Sequence, residues 1–196
     1  MAGVAAALAA QVAVPPAHDP ALPGPGGGGG AAQAGPAQPG AAQPGATPTR
    51  LVFALPAAWK SEPPGSGMRL AQAGIPGPAG AAQFAIFYFG AGGGGTPEAN
   101  IERWIGQIER PLAPPRRAAF STHGLTVSWV EVAGTMKAST IGMGPATAQP
   151  GSRLLGAVVE GPGGPWFVKV IGPDATVAAA RPAFVELLHG LRTAPR

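Results

Sequence analysis

The chain has no cysteine. That excludes disulfides and thiolate metal sites, while leaving the compartment open. Charge is scarce too. Only 11% of residues are charged, less than half of the ~25% usual in globular domains. Asp19 and Asp174 are the only aspartates, and His18, His123 and His189 are scattered, so a zinc triad would need unusual carboxylate ligands. No metal site or cofactor is expected. No apolar run reaches the ~20 residues of a membrane-spanning helix, so no transmembrane span is expected.

Nucleophile chemistry also lacks its parts. No G-x-S-x-G is present, and none of the six serines falls in an activating context. Ser66 sits between Gly65 and Gly67, a loop signal. Glu98 and Glu102 read as helix-surface carboxylates rather than a glycosidase pair. No catalytic residue is nominated, and the expectation is a protein that is not an enzyme. The net charge is +4, and Arg116-Arg117 is the only adjacent basic pair. Dispersed cations of this kind do not make the basic stripe of a nucleic-acid binder, so no nucleic-acid partner is expected.

Glycine and proline are abundant, at 32 and 25 residues. They are concentrated early, where charge is missing. All 13 Lys and Arg, and eight of the nine acids, lie at Arg50 or later, giving residues 50–196 a net charge of +5. Three regions follow. Residues 1–14 are an apolar, Ala-rich stretch resembling the core of a secretory leader, without a basic start. Residues 15–49 hold 18 Gly or Pro in 35 positions, with Gln33, Gln38 and Gln43 in register with Gly35, Gly40 and Gly45. Such a segment cannot bury enough apolar surface to offset its ordering entropy and reads as a disordered linker. Residues 50–196 are long enough for one domain with its own core. Export to the periplasm, envelope or exterior is the expectation for the chain, with a protein or envelope partner and a monomer by default.

Within 50–196, periodicity predicts strands at 50–56, 68–73, 83–89, 125–132, 154–159 and 166–171. Residues 83–89 (QFAIFYF) are apolar on both faces, the mark of a central strand covered twice. Thr96 as cap, Pro97 and Glu98 predict a helix start. Ile101, Trp104, Ile105 and Ile108 continue it as one apolar stripe, up to Pro111. A second helix is predicted over 174–191, kinked at Pro182. The order βββ-α-βββ-α gives an α+β fold: an antiparallel sheet of about six strands between two helices, after a disordered arm. Trp104, Trp129 and Trp166 are expected in the core, and Trp59, in a Pro/Gly loop, partly exposed.

One motif invites a ligand. Gly90-Ala91-Gly92-Gly93-Gly94-Gly95 fits G-x-G-x-x-G between a strand and a helix, the setting of a dinucleotide loop. Thr96-Pro97 starts the helix only after the last glycine, and Glu109 falls in the predicted helix rather than at a strand end. The favoured reading is a flexible connection. Gly92, Gly94, Gly95 and Thr96 remain the candidate anion site, through backbone N–H groups at the helix start. An enzyme or small-ligand binder built on Gly90–Gly95 is the alternative function. Whether Asn100, Arg103 and Gln107 take part is left open.

Two segments carry a resemblance. One runs Phe87-Tyr88-Phe89-Gly90 through Asn100-Ile101-Glu102-Arg103-Trp104-Ile105-Gly106-Gln107. The other runs Leu154-Leu155-Gly156 through Trp166-Phe167-Val168-Lys169 to Gly172-Pro173. Together they resemble uncharacterised bacterial exported proteins with a Gly/Pro-rich arm. Their element order is similar to the PsbP-like fold, shared by an extrinsic photosystem II subunit and a nuclear-import factor. The resemblance implies a non-catalytic binding or assembly domain of the envelope or exterior, and it assigns no site residue.

Overall fold

The computed structural model describes residues 49–139 and 143–195. The leader-like segment and all but Thr49 of the expected linker lie outside the described residues. The described residues are α+β, with two helices and ten strands rather than six.

The strands are β1 (Thr49–Val52), β2 (Lys60–Glu62), β3 (Arg69–Ile75), β4 (Ala82–Tyr88), β5 (Ile108–Glu109), β6 (Arg116–Thr122), β7 (Leu125–Met136), β8 (Gln149–Glu160), β9 (Trp166–Pro173) and β10 (Arg192–Pro195). Helix α1 (Pro97–Ile105) follows β4, and α2 (Asp174–His189) follows β9. The main sheet runs β2-β3-β4-β9-β8-β7-β5, with β6 also pairing β7. Its pairs are all antiparallel. β1 and β10 form a separate antiparallel pair.

The central strands are apolar on both faces, as the aromatic alternation of β4 implies. One face packs Phe84, Ile86, Trp129, Leu155, Trp166 and Val168 against Val177, Phe184 and Leu188 of α2. The other packs Ala85, Val130, Leu154, Val158 and Phe167 against Ile101 and Trp104 of α1. Trp104 lies flat on Gly156 of β8. A methyl there would come within 2.3 Å of the indole, so only glycine lets the helix sit this close. Arg117 of β6 adds ion pairs to Glu98 and Glu102 of α1, at 2.8 and 2.5 Å.

Charge enters the α2 face as one network. Glu131, 3% exposed, accepts from Arg153 and from Arg181, the latter at 2.9 Å. Arg153 also donates to Asp174 at the start of α2, at 2.7 Å. Two acids meet two cations, so each buried charge has an opposite partner.

Several expectations need correction. Helix α1 stops at Gly106, whose N–H closes on the Glu102 carbonyl. Pro111 therefore does not end it. Ile108 and Glu109 pair instead with Met136 and Thr135 of β7. Ile108 still reaches the core, which is why it fitted the helical stripe. The first expected strand, 50–56, shortens to β1 and joins β10 rather than the main sheet. β2 and β6 escaped notice because edge strands need no apolar alternation, and their residues are mostly exposed. Leu191 is buried beyond α2, which runs through Pro182 and ends at His189. Trp59 is 6% exposed and packs on Phe84 with ring centres 5.0 Å apart; a Pro/Gly loop does not mean an exposed one. Trp104, Trp129 and Trp166 are core, as expected.

Trp104→Ala removes the largest side chain between α1 and the sheet and is expected to cost about 3–5 kcal/mol. Urea denaturation of the variant reads this directly, and an unchanged midpoint would mean that the indole contributes no core packing.

Candidate functional site

Helix α1 has nine residues and α2 has sixteen. The short helix does not reach across its face of the sheet. Beside it, against β4 and β9, a recess of about 380 Å³ remains. That falls within the range of small-molecule sites.

Its walls come from three elements, together with Ser139 and Met143 of the segment between β7 and β8. β4 and the residue after it give Phe87 and Phe89, whose rings stack 6.4 Å apart. β9 gives Phe167, 5.5 Å from Phe89, and Lys169. Helix α1 gives Arg103, and Gln107 follows one turn on. Phe89 is 44% exposed and forms an open, apolar lip.

Lys169 is the unusual residue. It stands in the middle of a central strand, paired with Ala85 on one side and Gly156 on the other. The residue is only 6% exposed. Its Nζ donates to Gln107 Oε1 at 2.7 Å, a neutral acceptor. Burial, with Arg103 beside it, pushes the ammonium down to about 8 from the usual 10.5. None of the described residues lining the recess carries a carboxylate.

Arg103 is held from behind. Its guanidinium donates to Asn100 Oδ1. Asn100, 1% exposed, donates through Nδ2 to the carbonyls of Gly94 and Thr96, both at 2.9 Å. The glycine loop thus positions Asn100, and Asn100 positions Arg103. Gly94 has φ +87°, and a side chain there would strike the Phe167 ring at 2.4 Å.

The candidate anion site at Gly92, Gly94, Gly95 and Thr96 lies at this junction. The Gly92 and Gly93 N–H groups are spent on the carbonyls of Gly164 and Gly90, each at 3.0 Å. The Thr96 hydroxyl caps α1, accepting from the Ala99 N–H at 3.3 Å. Glu109, weighed above as an acid in the helix, sits in β5. Of the three residues left open by the sequence, Arg103 and Gln107 line the recess, and Asn100 stands behind Arg103. Lys169 was missed. Its signal was a lone charge inside WFVKVI, a strand apolar on both faces.

A second cavity of about 480 Å³ opens on the same face, near Gln83, Met136, Gln149 and Ile171. It is larger, but none of its lining residues is charged, so it offers less to fix a polar ligand. Among the described residues no cluster of His, Asp and Glu could hold a metal. No described helix is long and apolar enough to cross a membrane. No protein-family model matches the chain, and no curated protein matches it.

The lysine has a consequence for stability. Below about pH 8 it is charged in both folded and unfolded chains, and its burial penalty stands in full. Between about 8 and 10.5 the unfolded chain keeps a proton that the folded one has released. Stability is therefore expected to rise with pH across that window, by up to about 3 kcal/mol. Lys169→Met should raise the urea midpoint at neutral pH and remove this rise. The same rise in both proteins would show that another group causes it.

Proposed function

We propose that this protein is a non-catalytic binding domain that works outside the cytoplasm, and that it takes a small ligand into the recess between α1, β4 and β9. One observation carries the reading: three phenylalanines and two cations converge on an open cavity whose described lining holds no carboxylate. Core packing does not require this arrangement. A buried cation costs stability unless something compensates it, and a residue with no binding role would serve packing better as an aliphatic one. Asn100 strengthens the case. A fully buried amide holds Arg103 toward the recess, which is the preorganisation that binding sites need.

Export is part of the proposal. It rests on the leader-like residues 1–14 and on the Gly/Pro-rich segment 15–49, and the resemblance to exported bacterial proteins points the same way. The PsbP-like likeness is likewise offered as a reading of the element order.

Protein-observed ¹H–¹⁵N NMR of the full chain with a fragment library of mixed charge tests the recess. Hits are expected to shift the amide signals of Phe167 and Lys169 and to be lost when Gln107→Trp fills the cavity. Hits that survive this variant, or an empty screen, would contradict the reading.

A further inference from the structure

Resting on that reading, we infer that the recess selects an organic anion: a carboxylate, carried on a flat apolar body, whose charge lies between Lys169 and Arg103 while its body packs on Phe87, Phe89 and Phe167.

The two faces of the sheet treat buried charge differently. On the α2 face, Glu131 is as buried as Lys169, and the chain supplies Arg153 and Arg181 to meet it. On the α1 face, the chain gives Lys169 only the neutral Gln107 oxygen and then sets a second cation beside it. The charged residues that line the recess are both cations. Arg103 comes from α1 and Lys169 from β9. Arg69 of β3 lies over the Phe87 ring, 5.4 Å from its centre, and Lys137 closes on the Gly106 carbonyl at 2.7 Å. Glu62 stands beyond, held by Gln72 at 2.9 Å. An anion between the two recess cations supplies the missing opposite charge, and charge-assisted bonds from an ammonium and a guanidinium are the strong ones.

The donors suit a carboxylate. Lys169 has three N–H donors and uses one on Gln107; Arg103 has five and gives one to Asn100. A guanidinium fork fits a carboxylate edge on. The neighbouring glycine loop has spent part of what a phosphate cradle would use. Its carbonyls at Gly94 and Thr96 face Asn100, and the N–H groups of Gly92 and Gly93 are already bonded. The rings set the rest of the ligand. Phe87 and Phe89 are nearly parallel, with planes 5° apart, and Phe167 is tilted at 58° to Phe89. Three rings lining one recess suit a planar apolar body.

Isothermal titration calorimetry of the full chain near neutral pH, with matched naphthalenes, tests this. The probes are 2-naphthoate, the neutral 2-naphthamide and the cationic 2-naphthylmethylamine, with acetate as a carboxylate that lacks the apolar body. 2-Naphthoate is expected to bind about tenfold or more tightly than each of the others. Lys169→Met and Arg103→Met are expected to weaken 2-naphthoate by about tenfold each and to erase its advantage over the amide. Melting curves establish that both variants fold, and Lys169→Met is expected to melt no lower than the native chain. If the amide binds as well as the acid, or if Lys169→Met keeps the preference, the anion assignment falls while the recess reading stands. Equal binding of acetate and 2-naphthoate overturns the apolar half of the assignment. A recess that takes fragments of other charge but not 2-naphthoate also overturns the ligand class. If neither these probes nor the fragment library bind there, the reading beneath it falls as well.

Discussion

The central strands of this domain are apolar on both faces, and everything else follows from the need to cover them twice. Phe84, Ile86 and Trp166 point one way while Ala85, Phe87 and Phe167 point the other. A sheet of this kind cannot leave a face to water without exposing much of its core. Helix α2, with sixteen residues, covers its side. Helix α1, with nine, covers only part of the other. Its placement depends on Trp104 lying against the bare backbone of Gly156. The recess is the part of the second face that the short helix leaves, and so the site is a consequence of the unequal cover.

The same inequality separates two uses of buried charge. Where α2 crosses the sheet, Glu131, Arg153, Asp174 and Arg181 neutralise one another and fasten the helix start. Arg181 also lies over Trp129, 5.3 Å from the ring centre. That network is structural: its charges balance and its members bridge elements. Lys169 does neither. Among the described residues its side chain bonds to a neutral amide, and the charge beside it is another cation. A low-dielectric environment magnifies both situations, favouring a paired charge and penalising an unpaired one. The chain tolerates that penalty beside the recess next to α1.

Much of this was legible in the sequence because the strong signals were local. The apolar stripe of Ile101, Trp104 and Ile105 and the cap at Thr96 fixed the place of α1, and the double-sided pattern of residues 83–89 marked a central strand. The α+β class followed from the order of those elements. What stayed hidden depended on pairing. β5 and β6 exist because β7 is long enough to hold partners along its length, and nothing within IE or RRAAFST shows that. Trp59 looked exposed because composition describes the backbone of a loop, not what its side chain meets. The glycine run drew attention as a phosphate loop, whereas its carbonyls serve Asn100 and through it Arg103. Asn100, Arg103 and Gln107 could be seen as polar positions near one apolar stripe. Their common purpose needed Lys169, which arrives from a strand sixty residues later in the chain.

The account turns on the state of that one amine. A carbon-detected NMR titration of the lysine Cε signals, on the full chain with Lys169→Met for assignment, measures it without reference to stability or affinity. The account gives a Lys169 midpoint near pH 8 in the free protein, moving upward when 2-naphthoate is added, because a bound anion favours the ammonium form. A midpoint near the ordinary lysine value of 10.5, unmoved by the anion, would contradict it.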